Sequence, residues 1–115
     1  MQTEIRMPAL VREMTASFYE SSRGPLTDGS RFHADGMFCA ADNMSMGTRV
    51  RLKGPSGRTV QVQVRDFGPA FDLSPRAFAL LAGPGWRRLG RIPVTYTITG
   101  HAPHIPKHRH RRGAR

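Results

Sequence analysis

The stretch QVQVRDFGPAFDLSPRAF, Gln61–Phe78, decides the fold. Val62 and Val64 alternate with Gln61, Gln63 and Arg65, the period-2 pattern of a strand with one buried face. Val60 extends the apolar series backward, and Asp66 takes the place where the next apolar residue belongs. Gly68 and Pro69 then turn the chain. Ser74 is placed to cap a helix, with Pro75 at its first position and good helix formers through Ala82. Gly83 and Pro84 stop it. A strand ending on one acid is thus followed closely by a helix with a second acid, Asp72, at its entrance.

Strict alternation turns Asp66 toward the core side at the strand's end. A half-desolvated carboxyl there suits general acid catalysis; it also suits an acid that accepts the N–H groups of the turn. Asp72 lies near the positive end of the helix dipole. It either organises the turn or stabilises charge and holds substrate beside Asp66.

Working outward, residues 14–20 (MTASFYE) read as a first strand and 21–31 as a loop. Residues 37–41 (MFCAA) form a short buried strand. Residues 48–53 (TRVRLK) face Val50 and Leu52 inward and join residues 58–66 through a Gly54–Gly57 hairpin turn. Residues 91–99 make the last strand, with Ile92, Val94, Tyr96 and Ile98 on one side and Pro93 at an edge or a strand start. Short strands and one short helix, too many strands for one flat sheet, imply a mostly β, six-stranded closed barrel. At 115 residues the chain holds one domain. It divides into an extension (1–13), the barrel (14–99) and a tail (100–115).

Eighteen Lys and Arg against eight Asp and Glu give a formal charge of +10, which favours polyanionic partners. Lys107, Arg109, Arg111, Arg112 and Arg115 place half of it in the tail, which has no acid. Weak polyanion binding is therefore expected of the tail, whose four histidines are interleaved with cations that oppose a metal ion. No nucleic-acid motif accompanies it. His33 and the turn acids Asp28, Asp35 and Asp42 show no metal spacing, so no metal or cofactor is called for. Cys39 is the single cysteine, which excludes an internal disulfide and reads as a buried thiol. No transmembrane segment is visible, and the uncharged run Met7–Val11 is too short for a signal-peptide core.

Aromatic faces stack on sugar rings. Phe18 and Tyr19 are neighbours on a strand, so one joins the core and the other, taken as Tyr19, faces a groove. Phe67, beside Asp66, and Phe71 are groove candidates. Trp86, in GPGWRR, is either a loop platform or a lid over the barrel end.

Together the blocks TASFYE, TDGSRF, CAADNMSMGTRVRL, GRTVQVQVRDFGPAFDLSPRAFALL and GRIPVTYTI resemble the RlpA-like double-psi β-barrel family (rare lipoprotein A). That family is related to expansins and barwin-like proteins. The resemblance spans residues 14–99 and implies a six-stranded double-psi barrel with a groove across it. It implies a peptidoglycan or related cell-wall glycan as partner, a monomer, and a periplasmic, wall or extracellular location. It places Asp66 on the acid shared by RlpA-like lytic transglycosylases and expansins, and Asp72 on the second acid of the expansin pattern. Ser30 stands where the family has Glu, and Asp42 where it has His. Asp42 as a polar partner of Asp66 would make two carboxylates share a proton. Two functions follow from the resemblance: a lytic transglycosylase with Asp66 as general acid, or a non-catalytic, expansin-like wall-binding or wall-loosening module.

Overall fold

A computed structural model describes residues 10–20, 24–68 and 71–101. Residues 102–115 of the tail, most of the N-terminal extension and Pro69 lie outside the described residues, whereas Gly100 and His101, read as the start of the tail, belong to the last strand. Six strands close into a barrel: β1 (Arg12–Phe18), β2 (Phe38–Ala40), β3 (Thr48–Lys53), β4 (Thr59–Asp66), β5 (Asp72–Leu73) and β6 (Ile92–His101). Around the barrel the order is β1, β5, β2, β4, β3, β6, and β6 pairs back onto β1. The expected six-stranded closed barrel is borne out.

The β3–β4 hairpin forms as its alternation requires, antiparallel from Lys53↔Thr59 to Arg49↔Gln63. Val50, Leu52, Val60, Val62 and Val64 enter the core with Leu73, Phe78 and Leu81. Burying each such Val, Leu or Phe side chain contributes about 1.5–3 kcal/mol.

Helix α1 (Pro75–Ala82) begins where the sequence places it. The Ser74 hydroxyl accepts from the Ala77 N–H at 3.4 Å and donates to the Gly36 carbonyl at 2.6 Å. Gly83 ends the helix at φ +87°, a conformation glycine adopts without a Cβ penalty, and its N–H bonds the Ala79 carbonyl at 2.9 Å. The hairpin turn docks on this end. Ser56 donates its N–H to the Leu81 carbonyl (2.9 Å) and its hydroxyl to the Leu80 carbonyl (2.7 Å). Gly54 lies so close that a Cβ there would stand 2.7 Å from the Leu81 carbonyl oxygen.

Four expectations need correction. A second helix, α2 (Trp86–Leu89), follows α1. Its four residues, framed by Gly85 and Gly90, are too short to show a periodic pattern. The two-residue strand β5 is likewise too short to alternate; it exists because it fills the gap between β1 and β2. Strand β1 runs from 12 to 18 rather than 14 to 20, because Arg12 and Glu13 find partners on β6. Ile98 is 48% exposed, although it is in register with the buried Val50. Strand β6 continues past Tyr96, its last partner on β1, and leaves Ile98 at the rim.

Candidate functional site

Both acids are positioned by strand pairing. Ala40 of β2 is in register with Asp72 of β5 on one side and Asp66 of β4 on the other. Asp72 is in turn in register with Ser17 of β1. Residues directly opposite in a ladder share a face, so Ser17, Asp72, Ala40 and Asp66 form one row across four strands. Two strand spacings separate the acids, about 10 Å between backbones.

A register shift sets which face this is. Cys39 pairs with Val64, yet the next residue, Ala40, pairs with Asp66, leaving Arg65 extra. This β-bulge corrects the alternation reading. Unbroken alternation would have sent Asp66 inward behind Val64. The bulge moves it onto the outer face with Ala40, which is buried yet outside the core cluster, opposite the core residues Cys39, Val64 and Leu73.

Each acid is held by a hydroxyl. The Ser17 hydroxyl donates to Asp72 Oδ1. Thr27 donates to Asp66 Oδ1 through its N–H (3.0 Å) and its hydroxyl (2.5 Å). The same Thr27 Oγ1 accepts the Phe67 N–H at 3.4 Å. Thr27 reaches this place because the loop folds on itself. Leu26 N–H bonds the Ser30 carbonyl, Gly29 N–H the Leu26 carbonyl, and Asp28 N–H the Arg65 carbonyl. Ser30 closes the loop: its N–H (2.9 Å) and hydroxyl (2.5 Å) both donate to Asp28 Oδ1. Ser30 thus serves Asp28 instead of pointing at Asp66. Asp42 is exposed and makes no hydrogen bond to Asp66, although the Ala41 N–H bonds the Asp66 carbonyl at 3.1 Å.

The aromatic candidates separate. Phe18 packs inward against Phe78 (ring centroids 4.6 Å apart) and Trp86 (4.9 Å). Tyr19 faces the other way, edge-on to Phe32 and Phe38. Its hydroxyl is buried without a hydrogen-bond partner among the described residues. Burial first, then the charge of Asp66, with Cys39, Asp72 and Asp28 adding, holds the phenol's pKa above its ordinary value. Tyr19 therefore remains a neutral phenol. Phe67 is 53% exposed next to Asp66, whereas Phe71 is 7% exposed and stacks on Tyr96. Phe71 is a core residue, packed in the cluster with Leu73 and Phe78. Trp86 lids the core over Phe18 and Phe78, with the Arg87 guanidinium 4.5 Å above its ring. The Arg87–Glu20 ion pair is largely exposed and contributes little. Burial pushes the Cys39 thiol up to about 12, which keeps it protonated and inert.

Sequence reasoning missed Ser17 and Thr27 as partners of the acids. Both lie inside blocks that carry the resemblance, but only strand register reveals which acid each one meets. Among the described residues no helix is long and apolar enough to cross a membrane, and no three or more His, Cys, Asp or Glu are grouped to hold a metal ion.

Residues 11–96 match a family model described as lytic transglycolase. The chain is 35% identical over 95 residues to a probable endolytic peptidoglycan transglycosylase RlpA of Nostoc sp.. That alignment covers 74% of this chain and 25% of the relative, so the chain spans a quarter of that protein's length. Among solved structures, a mutant Clavibacter michiganensis expansin in complex with cellohexaose superposes with a TM-score of 0.66 at 24% identity, covering 84% of this chain and 54% of the expansin. The apo form of the Clavibacter expansin gives 0.65 at 25% identity, covering 83% and 53%. Cerato-platanin 3 of M. perniciosa gives 0.60 at 22% identity, covering 77% and 95%. These likenesses establish the barrel fold.

Proposed function

The chain belongs to the lytic transglycolase family of double-psi β-barrels, and on that premise we propose that it acts on a cell-wall glycan, cleaving peptidoglycan strands with Asp66 as general acid. The observation that carries this reading is the bulge that sets Asp66 on the outer face, beside exposed Phe67 and in one row with Asp72.

The chemistry needs one carboxyl. Thr27 binds Oδ1 and orients the group, which leaves Oδ2 as the oxygen to meet a sugar. The Asp66 proton passes to the glycosidic oxygen and the C1–O bond breaks. The sugar's own C6 hydroxyl attacks C1 and returns its proton to Asp66, so an anhydro end forms and no water is consumed. Asp72, two strands away and oriented by Ser17, holds the sugar or the charge developing on it. Phe67 offers the exposed ring for stacking.

One observation favours the second reading, a non-catalytic, expansin-like wall-binding module. Asp42 stands where the family has His, yet it is exposed and makes no hydrogen bond to Asp66 among the described residues. Clearing of insoluble purified peptidoglycan separates the two. Release of soluble fragments by the wild type and none by Asp66→Asn supports the enzyme. Retention on the insoluble wall without release supports the binding module.

A further inference from the structure

The outer face that carries Asp66 continues across β4 and β3. Gln63 and Gln61 extend it along β4, and Arg49 and Arg51 stand in register with them on β3, with Lys53 opposite Thr59. The three β3 cations are exposed, whereas Val50 and Leu52 between them are buried. Outward residues on a strand recur every ~6.8 Å, so the cations form a ladder. Arg65, the extra residue of the bulge, donates its Nε–H to Gln63 Oε1 at 3.2 Å and stands next to Asp66.

Among the described residues, Arg49 and Arg51 make no ion pair. The ion pair seen among the described residues, Arg87–Glu20, is elsewhere. Arg49 and Arg51 have Gly100 and Thr97 on one side and Gln63 and Gln61 on the other. Glu13 shares a register line with Lys53 through Thr95, which makes Lys53 the least free of the three. Strands β3 and β4 hold no aromatic, Phe38 beside Gln63 is buried, and Phe67 past Asp66 is a single exposed ring rather than the series on which successive bases stack. Guanidinium forks fit carboxylates, and glutamine amides fit sugar hydroxyls. The ladder also adjoins the acid row: Gln63 pairs with Phe38 on β2, the strand that sets Ala40 between Asp66 and Asp72.

We infer that Arg49 and Arg51, with Gln61 and Gln63, form a docking strip for the carboxylate groups of an acidic glycan whose sugar backbone passes over Asp66. This inference rests on the glycan reading above. It adds a selectivity: the chain prefers an acid-bearing strand to a neutral one of the same sugars.

The test uses the full chain and peptide-free wall glycan strands with free carboxyls, compared with the same strands after their carboxyls are amidated. Titration calorimetry at low salt should show about tenfold tighter binding of the acidic form, the sum of a few exposed ion pairs. The preference should collapse in about 0.5 M salt. In Arg49→Gln/Arg51→Gln it should fall to threefold or less. A control with the same charge loss elsewhere, Arg88→Gln/Arg91→Gln, should keep it. Equal binding of both strands by the wild type overturns this inference alone. So does a preference retained by the ladder variant, lost by the control, or exceeded by affinity for oligo-dT. No binding of either strand overturns the glycan reading with it.

Discussion

Thr27 grips Asp66 at a single carboxylate oxygen, with its N–H 3.0 Å and its hydroxyl 2.5 Å from Oδ1. The loop that presents Thr27 is itself locked by the Asp28–Ser30 contacts. Thr27→Val keeps the shape and the N–H bond but removes the hydroxyl. Loss of one such bond costs about 1 kcal/mol, or roughly fivefold. Fragment release from peptidoglycan should slow by about that factor in Thr27→Val and recover in Thr27→Ser. An unchanged rate in Thr27→Val would remove Thr27 from the account.

Ser17 does for Asp72 what Thr27 does for Asp66, from the opposite end of the row. Ser17→Ala leaves a half-buried carboxylate without that donor. Because water still reaches the group, the cost belongs at the low end of the usual range, about 1 kcal/mol. Urea unfolding should show a lower midpoint with an unchanged slope. Glycan binding should weaken as well, since Asp72 loses its orientation.

Phe67 and Phe71 are four residues apart and should respond oppositely. Phe67 is exposed, so Phe67→Ala should leave the midpoint of thermal unfolding nearly unchanged and weaken retention on wall material. Phe71 is a core residue stacked on Tyr96. Phe71→Ala should cost about 3–5 kcal/mol in stability. Equal destabilisation by both substitutions would contradict the placement of Phe67.

Cys39 provides a pH signature. Burial raises its thiol from an ordinary value of 9.0 to about 12. Between these values the unfolded chain sheds a proton that the folded chain keeps, so stability falls as pH rises. The contribution is fully present below pH 9 and is lost progressively toward pH 12. Cys39→Ala removes this dependence, so the stability gap between wild type and variant should narrow across that window. In the native state the thiol should also resist alkylation at pH 8 and react once urea unfolds the chain.

Much of the fold was legible because its signals are local. The Val60–Val64 alternation, the Gly54–Gly57 turn and the Ser74–Pro75 helix start each depend on a few adjacent residues. The helix α2 and the strand β5 were not legible, because four and two residues cannot display a period. The candidate site divides the same way. Asp66 and Asp72 stood out by their positions beside a turn and a helix. The bulge that turns Asp66 outward depends on how β2 and β4 pair, a relationship between residues 26 positions apart in the chain (Ala40 and Asp66). Thr27 and Ser17 became visible for the same reason only once the barrel closed.

The central claim is that the Asp66 carboxyl transfers a proton to a glycosidic oxygen. Its most direct test is mass spectrometry of the fragments released from purified peptidoglycan by the wild type and by Asp66→Asn, with thermal unfolding to verify that the variant folds. The account predicts fragments lighter by one water than hydrolysis products from the wild type, and none from a folded Asp66→Asn. Release of the same anhydro fragments by folded Asp66→Asn, or no release by the wild type despite retention on the wall, would contradict it.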